Sequence, residues 1–271
     1  MHLIDSVTFG ITCFERPKEL KRLLNSIYLF FDNPNVIVVC DSKKPSREKI
    51  IAKAFDKVQF IFTEYDIGLS AKRNLIYKNS SKEFILVLEE DFEFYNNSLE
   101  SALVYMKQEE LDLLGGRVLN YYQLDFVNIA VAFKKIILKS DFSRIRNILQ
   151  GNHVELNHYG VFEVINNRLF TQWNSIDLEL NDRKKFDIYP NFFLIKRSLL
   201  IKVAGWQPES LKNGEHGLFF VRLFQKNINS QFYFGFSIFH KPKKRILYII
   251  KRMRKMNVNI SDYHKYKEIN F

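Results

Sequence analysis

Cysteine is scarce in this chain: Cys13 and Cys40 are the only two in 271 residues. A disulfide scaffold is excluded at that count and length, and two inert thiols at the ends of apolar runs are expected instead. No stretch of eighteen apolar residues occurs, so the sequence offers no candidate for a membrane-spanning helix. The opening Met1-His2-Leu3-Ile4-Asp5 has neither a basic n-region nor an apolar h-region, so no signal peptide is read there and a reducing, cytoplasmic setting is the expectation. Internal repeats and low-complexity linkers are missing. So is any recognisable nucleic-acid-binding module, and nucleic acid is not an expected partner.

What is present is ordinary for one globular domain. Hydrophobic residues make up 46% and charged residues 26%. Aromatics reach 15%, with 26 Phe and 13 Tyr, which predicts a Phe-rich core. The formal net charge of +11 is unevenly placed. Residues 241–271 carry ten Lys and Arg against Asp262 and Glu268, which leaves the body of the chain nearly balanced.

The first half alternates between strand and helix patterns. Val7–Cys13, Val36–Cys40, Val58–Phe62 and Phe84–Leu88 read as strands, with a fifth at Leu111–Leu119 interrupted by Gly115-Gly116. Between them, Leu20, Leu23, Leu24 and Ile27 recur at helical spacing behind Pro17. Pro45–Phe55 reads as a second helix, and Ser70 is placed to cap a third. Leu99, Ala102, Leu103 and Met106 mark a fourth. Such alternation means βαβ units, a mostly parallel sheet and an α/β fold. Ligands of such sheets bind beyond the carboxyl ends of the strands. The polar clusters Thr12 to Arg16, Asp41-Ser42 and Glu89 to Asp91 all fall at that edge.

The second half is less regular. Hairpins and long loops are expected over 121–190, then a strand at Phe192–Ile195 and a short helix at Ser198–Val203 ended by Gly205-Trp206. A helix from about His216 to Gln225, a strand at Gln231–His240 and a helix at Arg245–Lys255 complete the chain.

The acidic triplet Glu89-Glu90-Asp91 ends an apolar strand. Carboxylates at a strand end can hold one hard cation, and that cation can bridge the phosphates of a nucleoside diphosphate. Strand alternation would put Glu89 and Asp91 on one side, as the natural metal pair, and Glu90 on the other.

The stretch Asp66 to Phe94 resembles a signature of the GT-A fold glycosyltransferases, family 2 and the related β1,4-N-acetylgalactosaminyltransferases of family 12. The matching residues are Gly68-Leu69-Ser70-Ala71 with Arg73-Asn74, then Val87-Leu88-Glu89-Glu90-Asp91-Phe92, where Glu89 and Glu90 replace the first two of three aspartates. Gly115-Gly116, Pro190-Asn191-Phe192-Phe193-Leu194 and Gly205-Trp206 continue the match, which leaves 121–188 poorly covered.

The resemblance implies a Rossmann-like GT-A domain over 1–240, with a nucleotide-binding half at about 1–120 and an acceptor and sugar half at about 121–240. It implies transfer of a sugar from a nucleotide diphosphate donor, UDP-linked by expectation, to a glycan or lipid-linked acceptor. The implied donor-site residues are Thr12, Arg16, Asp41, Asp66, Arg73, Glu89, Glu90, Gly115, Gly116 and Asn191. Mn²⁺ or Mg²⁺ would sit at Asp91, with Glu89 and His240 as further ligands. Inversion needs a base for the acceptor hydroxyl. Glu215 is the choice from the family 2 pattern, which has Asp where His216 stands. The family 12 pattern has a His followed two residues later by Glu, a position held here by Leu218, so Glu215 and His216 both remain candidates.

The tail 241–271 reads as a basic amphipathic extension. Ile246, Ile249, Ile250 and Met253 share a face ringed by Lys and Arg, which suits an anionic membrane surface through 241–256 and a peripheral place on its inner face. Two rivals stand beside this reading. A sugar-phosphate nucleotidyltransferase would want a glycine-rich loop after the first strand, and Thr12 to Arg16 holds no glycine. A non-catalytic carbohydrate-binding or scaffold subunit could keep the fold without turnover.

Overall fold

A computed structural model describes residues 3–120, 159–165, 168–174, 191–207, 215–224 and 226–240. The tail 241–271 with its expected helix, most of 121–190, and Asn213-Gly214 lie outside the described residues.

The first half follows its sequence pattern closely. Strands β1 (Val7–Cys13), β2 (Asn35–Cys40), β3 (Gln59–Phe62) and β4 (Phe84–Glu89) alternate with helices α1 (Pro17–Phe30), α2 (Ser46–Ala54) and α3 (Leu69–Asn79). A two-residue strand β5 (Phe92–Glu93), which no sequence pattern announced, precedes α4 (Ser98–Gln108) and β6 (Leu113–Asn120). An isolated hairpin, β7 (Tyr159–Ile165) with β8 (Arg168–Asn174), follows. Then come β9 (Phe193–Lys196), α5 (Arg197–Lys202), α6 (Glu215–Phe224) and β10 (Ser230–His240).

Eight strands form one sheet in the order β3-β2-β1-β4-β9-β6-β10-β5. It is mostly parallel, as expected for this alternation. The exceptions are β9, antiparallel to both β4 and β6, and β5, antiparallel to β10. Gly115 and Gly116 do not interrupt β6 but lie inside it, paired to Phe232 and Tyr233 of β10.

Each face of the sheet is covered by helices. Leu20, Leu23, Leu24 and Ile27 of α1 and Leu99, Ala102, Leu103 and Met106 of α4 bury against Phe9, Ile11, Val38 and Leu86. Ile76 of α3, Leu199 and Leu200 of α5, and Phe219, Phe220 and Leu223 of α6 bury against Ile37, Val39, Val87 and Phe193. The core is Phe-rich, as composition predicted, with Phe9, Phe84, Phe192, Phe193 and Phe219 fully buried. Cys13 and Cys40 are neighbours in the β1–β2 register, free and buried. The hydrogen bond its S–H gives to Cys40, together with burial, pushes the Cys13 thiol well above its usual range, so it stays protonated. No helix among the described residues is long and apolar enough to cross a membrane.

Ser70 does not cap α3. The cap is Gly68, at φ 92°, a backbone conformation that costs glycine little and other residues much. The helix starts one residue later, and the Ser70 hydroxyl is buried inside it without a hydrogen-bond partner.

Candidate active site

The carboxyl ends of β1, β2 and β4 meet at one edge of the sheet, and backbone hydrogen bonds tie the first two to the segment that follows β3. The Asp41 N–H donates to the Cys13 carbonyl, the Thr63 N–H to Cys40 and the Asp66 N–H to Asp41. Glu15 and Asp66 both take positive φ, so the chain turns sharply where it leaves β1 and where it approaches α3. The turn at Glu15 is held by its N–H on the Ser42 hydroxyl, which donates in turn to buried Glu48. Arg16 then sits at the cap of α1, ahead of Pro17, facing the end of β4. Thr12 is buried, with its hydroxyl directed to the Leu88 carbonyl at 3.5 Å.

The acidic triplet is not arranged as strand alternation predicts. β4 ends at Glu89, and Glu90 and Asp91 form a turn, so the alternation stops where the triplet begins. Glu90 and Asp91 both reach Arg16, through its Nε at 3.5 Å and its Nη1 respectively. Glu89 is engaged by Asn191 and Arg73 instead of Arg16. The partner that Asp91 does meet is His240, whose Nε2 lies 3.3 Å from Oδ2. The register explains it: β10 pairs with β5 so that His240 stands opposite Phe92, the residue after Asp91. The imidazole packs edge-on against that ring at 5.5 Å.

The two carboxyls of the turn titrate in opposite directions. Burial pushes Glu90 up to about 8, with the Asp91 charge adding to it and Arg16 opposing. Burial acts on Asp91 too, but the hydrogen bond and charge of His240, with Arg16, outweigh it and hold this carboxyl below its ordinary value. Oδ1 of Asp91 is buried and accepts no hydrogen bond.

Glu89 belongs to a second network. Its Oε1 accepts from Asn191 Nδ2 at 2.8 Å and lies 3.5 Å from Arg73 Nη2. The same Arg73 nitrogen donates to Asn191 Oδ1 at 3.2 Å. Arg73 is not a surface residue. It is buried, and its guanidinium stands 5.5 Å from the Trp206 ring. Trp206 stacks on Phe219 of α6 at 4.2 Å. This chain of contacts connects the end of β4 to the helix that begins with Glu215.

Other expected site residues are placed less directly. His216 packs against Phe220 at 4.8 Å and Phe193 at 6.3 Å, while the side chain of Glu215 lies outside the described residues. Gly116 has a packing reason of its own: a Cβ there would collide with the rings of Phe192 and Phe236. Asp41 is fully buried and paired with Lys72 at 2.7 Å. Lys72 escaped the sequence reading. The available signal was two successive cations, Lys72 and Arg73, in the opening turns of a helix that has no acidic residue in its first turn. That placement opposes the helix dipole and calls for carboxylates nearby.

The chain is similar to known proteins in sequence and in fold. The sequence profile of the family described as Glycosyl transferase family 2 matches residues 8–203. Beta-1,4 N-acetylgalactosaminyltransferase 2 of Mus musculus is 34% identical over 119 residues, which is 43% of this chain and 22% of that protein. Beta-1,4 N-acetylgalactosaminyltransferase 1 of Homo sapiens is 29% identical over 113 residues, 41% of this chain and 20% of that protein. These matches span about a fifth of those relatives' length. Among solved structures, S. aureus TarS 1-349 in complex with UDP aligns with a TM-score of 0.58 at 16% identity, over 88% of this chain and 61% of that one. The same fragment in complex with UDP-GlcNAc aligns with a TM-score of 0.59 at 15% identity, over 89% and 59%. At such identities the structural likeness speaks for the fold.

Proposed function

Because this chain belongs to glycosyl transferase family 2, we propose that it transfers a sugar from a UDP-linked donor to a hydroxyl of a glycan or lipid-linked acceptor. The observation that carries the reading is the cluster of Arg16, Asp91 and His240 at the carboxyl edge of the sheet. It brings a cation, a carboxylate with a spare oxygen and an imidazole to the edge where such sheets take their ligands.

The residues fit a divalent cation. Asp91 Oδ1 is a buried acceptor without a donor, and a carboxylate oxygen beside an imidazole nitrogen suits Mn²⁺ or Mg²⁺. Among the described residues no three His, Cys, Asp or Glu side chains gather as a cage. A cation of this kind takes only one or two protein ligands when the diphosphate supplies further oxygens. Asp91 and His240 would hold it. Glu89, engaged by Asn191 and Arg73, serves the donor through that network instead. Bound there, the cation would neutralise charge developing on the leaving diphosphate.

The protein's own groups supply the rest. Arg73, buried and set between Glu89 and Asn191, is suited to orient the donor with charge-assisted hydrogen bonds. Arg16 offers positive charge to the diphosphate. Thr12, Asp41 and Asp66 line the nucleoside end, and Gly115 and Gly116 the sugar side. Inversion by direct displacement assigns the proton of the acceptor hydroxyl to Glu215, with His216 the alternative.

The test is turnover of UDP-sugars with and without Mn²⁺, read as UDP release. Asp91→Asn should abolish it while leaving the melting temperature within a few degrees. Activity that survives this substitution would overturn the metal assignment. No turnover and no metal-dependent UDP binding would overturn the transferase reading.

A further inference from the structure

Lys72 takes no part in the reading above, and its position calls for a reason. It stands in the opening turns of α3, where the helix dipole disfavours a cation, and only 5% of it is exposed. A lysine buried this far needs a carboxylate partner. That partner is Asp41, itself wholly buried, with Nζ 2.7 Å from Oδ1. Nζ also donates to the Cys13 carbonyl at 3.4 Å and lies 5.3 Å from the centre of the Phe14 ring.

The ion pair uses one oxygen of Asp41 and leaves the other. Oδ2 is buried and accepts no hydrogen bond. A carboxylate in an ion pair is acceptor-only, so an N–H or O–H alone can satisfy this atom. Its neighbourhood favours a planar ligand. Phe14, where the chain leaves β1, and the exposed Tyr65 place two rings 5.8 Å apart, tilted by 31°. Tyr65 directly precedes Asp66, whose N–H donates to the Asp41 carbonyl. Aromatic rings beside a buried acceptor suit the pairing edge of a nucleobase, since bases stack on such rings.

We propose that Lys72 is the positioning residue for base selection in the donor. By engaging Oδ1 it fixes Asp41 so that Oδ2 accepts from a ring N–H. Uracil carries N3–H at that edge. Cytosine carries a bare N3 acceptor there, which would set lone pair against lone pair. This rests on the UDP-sugar reading with Asp41 at the nucleoside. Lys72 acts only through Asp41 and touches no reacting atom.

The experiment is calorimetric titration of the full chain, with Mn²⁺ present, using UDP, CDP and N3-methyl-UDP. The methylated analogue keeps the uracil shape and lacks the donor hydrogen. Wild-type protein should prefer UDP over both others by about tenfold or more, the worth of one buried hydrogen bond left unmade. Lys72→Met should bring the three affinities to within about threefold, and Lys72→Arg should restore the preference. A Lys72→Met protein that binds more weakly but keeps the full preference would reduce Lys72 to a packing role and overturn the inference. If Lys72→Met does not fold, Lys72→Gln, which keeps a neutral donor for Oδ1, should retain the preference for UDP, and a folded Lys72→Gln protein that binds the three ligands equally would overturn the inference. Wild-type protein that binds UDP and N3-methyl-UDP equally overturns the inference while leaving the donor reading intact. Wild-type protein that binds none of the three overturns both.

Discussion

Asn74 and Trp206 exchange two hydrogen bonds across 132 residues of chain: Nδ2 donates to the Trp206 carbonyl and Oδ1 accepts its N–H, each at 2.8 Å. Both residues are buried. The exchange fixes the loop after α5 against α3 and so holds the Trp206 ring near Arg73. Gly205 makes the approach feasible. It takes φ 66°, and a Cβ there would run into Asn74 Oδ1 and the Tyr77 ring. Asn74→Ala leaves two buried backbone groups unpaired and should cost about 2–4 kcal/mol in urea unfolding. A cost below roughly 0.5 kcal/mol would mean that water satisfies both groups.

Arg73 should not be replaceable by lysine. Its guanidinium reaches Glu89 and Asn191 through one nitrogen while its plane lies near Trp206, and the point charge of an ammonium has no plane to set beside that ring. Arg73→Lys should raise the KM for the donor about tenfold or more with kcat falling less, while the melting temperature drops only a few degrees. Equal losses in KM and stability would assign Arg73 to the fold alone.

His240 gives a sharper discrimination, between metal ligand and structural partner of Asp91. As a ligand, its loss weakens the cation more than the nucleotide. His240→Ala should then raise the Mn²⁺ concentration for half-maximal activity by at least about tenfold. A variant with unchanged Mn²⁺ dependence and a lowered melting temperature would make His240 a support for the turn.

The alternation of β1 to β4 with α1 to α3 was legible because the strands are short, largely apolar runs and α1 between the first two carries an apolar stripe. The edge on which Arg16, Asp41 and Asp91 gather followed from that alternation. Pairings across long separations were not legible. Asp91 meets His240 only because the two-residue β5 docks on β10, and two residues carry no periodicity to read. The triplet's geometry misled for a related reason: period-two alternation holds only while the strand lasts, and β4 ends at Glu89. Lys72 hid between the motif residues Ala71 and Arg73, where a buried cation looks the same in sequence as a solvated one. Gly116 was readable as a special position, but its reason, the Phe192 and Phe236 rings over it, depends on residues more than seventy positions away.

Glu90 yields a pH prediction for the protein free of metal and nucleotide. Its folded pKa, about 8, lies above the ordinary glutamate value of 4.5, so the native state binds the proton more tightly than the unfolded chain. The stability this provides is fully present below about pH 4.5 and is lost as pH rises through about 8. Asp91 runs the other way: its pKa is lowered from 3.8, and its contribution is lost only as pH falls below that ordinary value. Between about pH 5 and pH 9 the Glu90 term is therefore the one that changes. Glu90→Gln stays neutral throughout. In EDTA its melting temperature should match the wild type near pH 5 and exceed it by several degrees near pH 9, a gap worth about 1–3 kcal/mol. A gap that stays constant over this range would mean that Glu90 ionises in the native state as an ordinary solvated glutamate, with Arg16 fully compensating its burial.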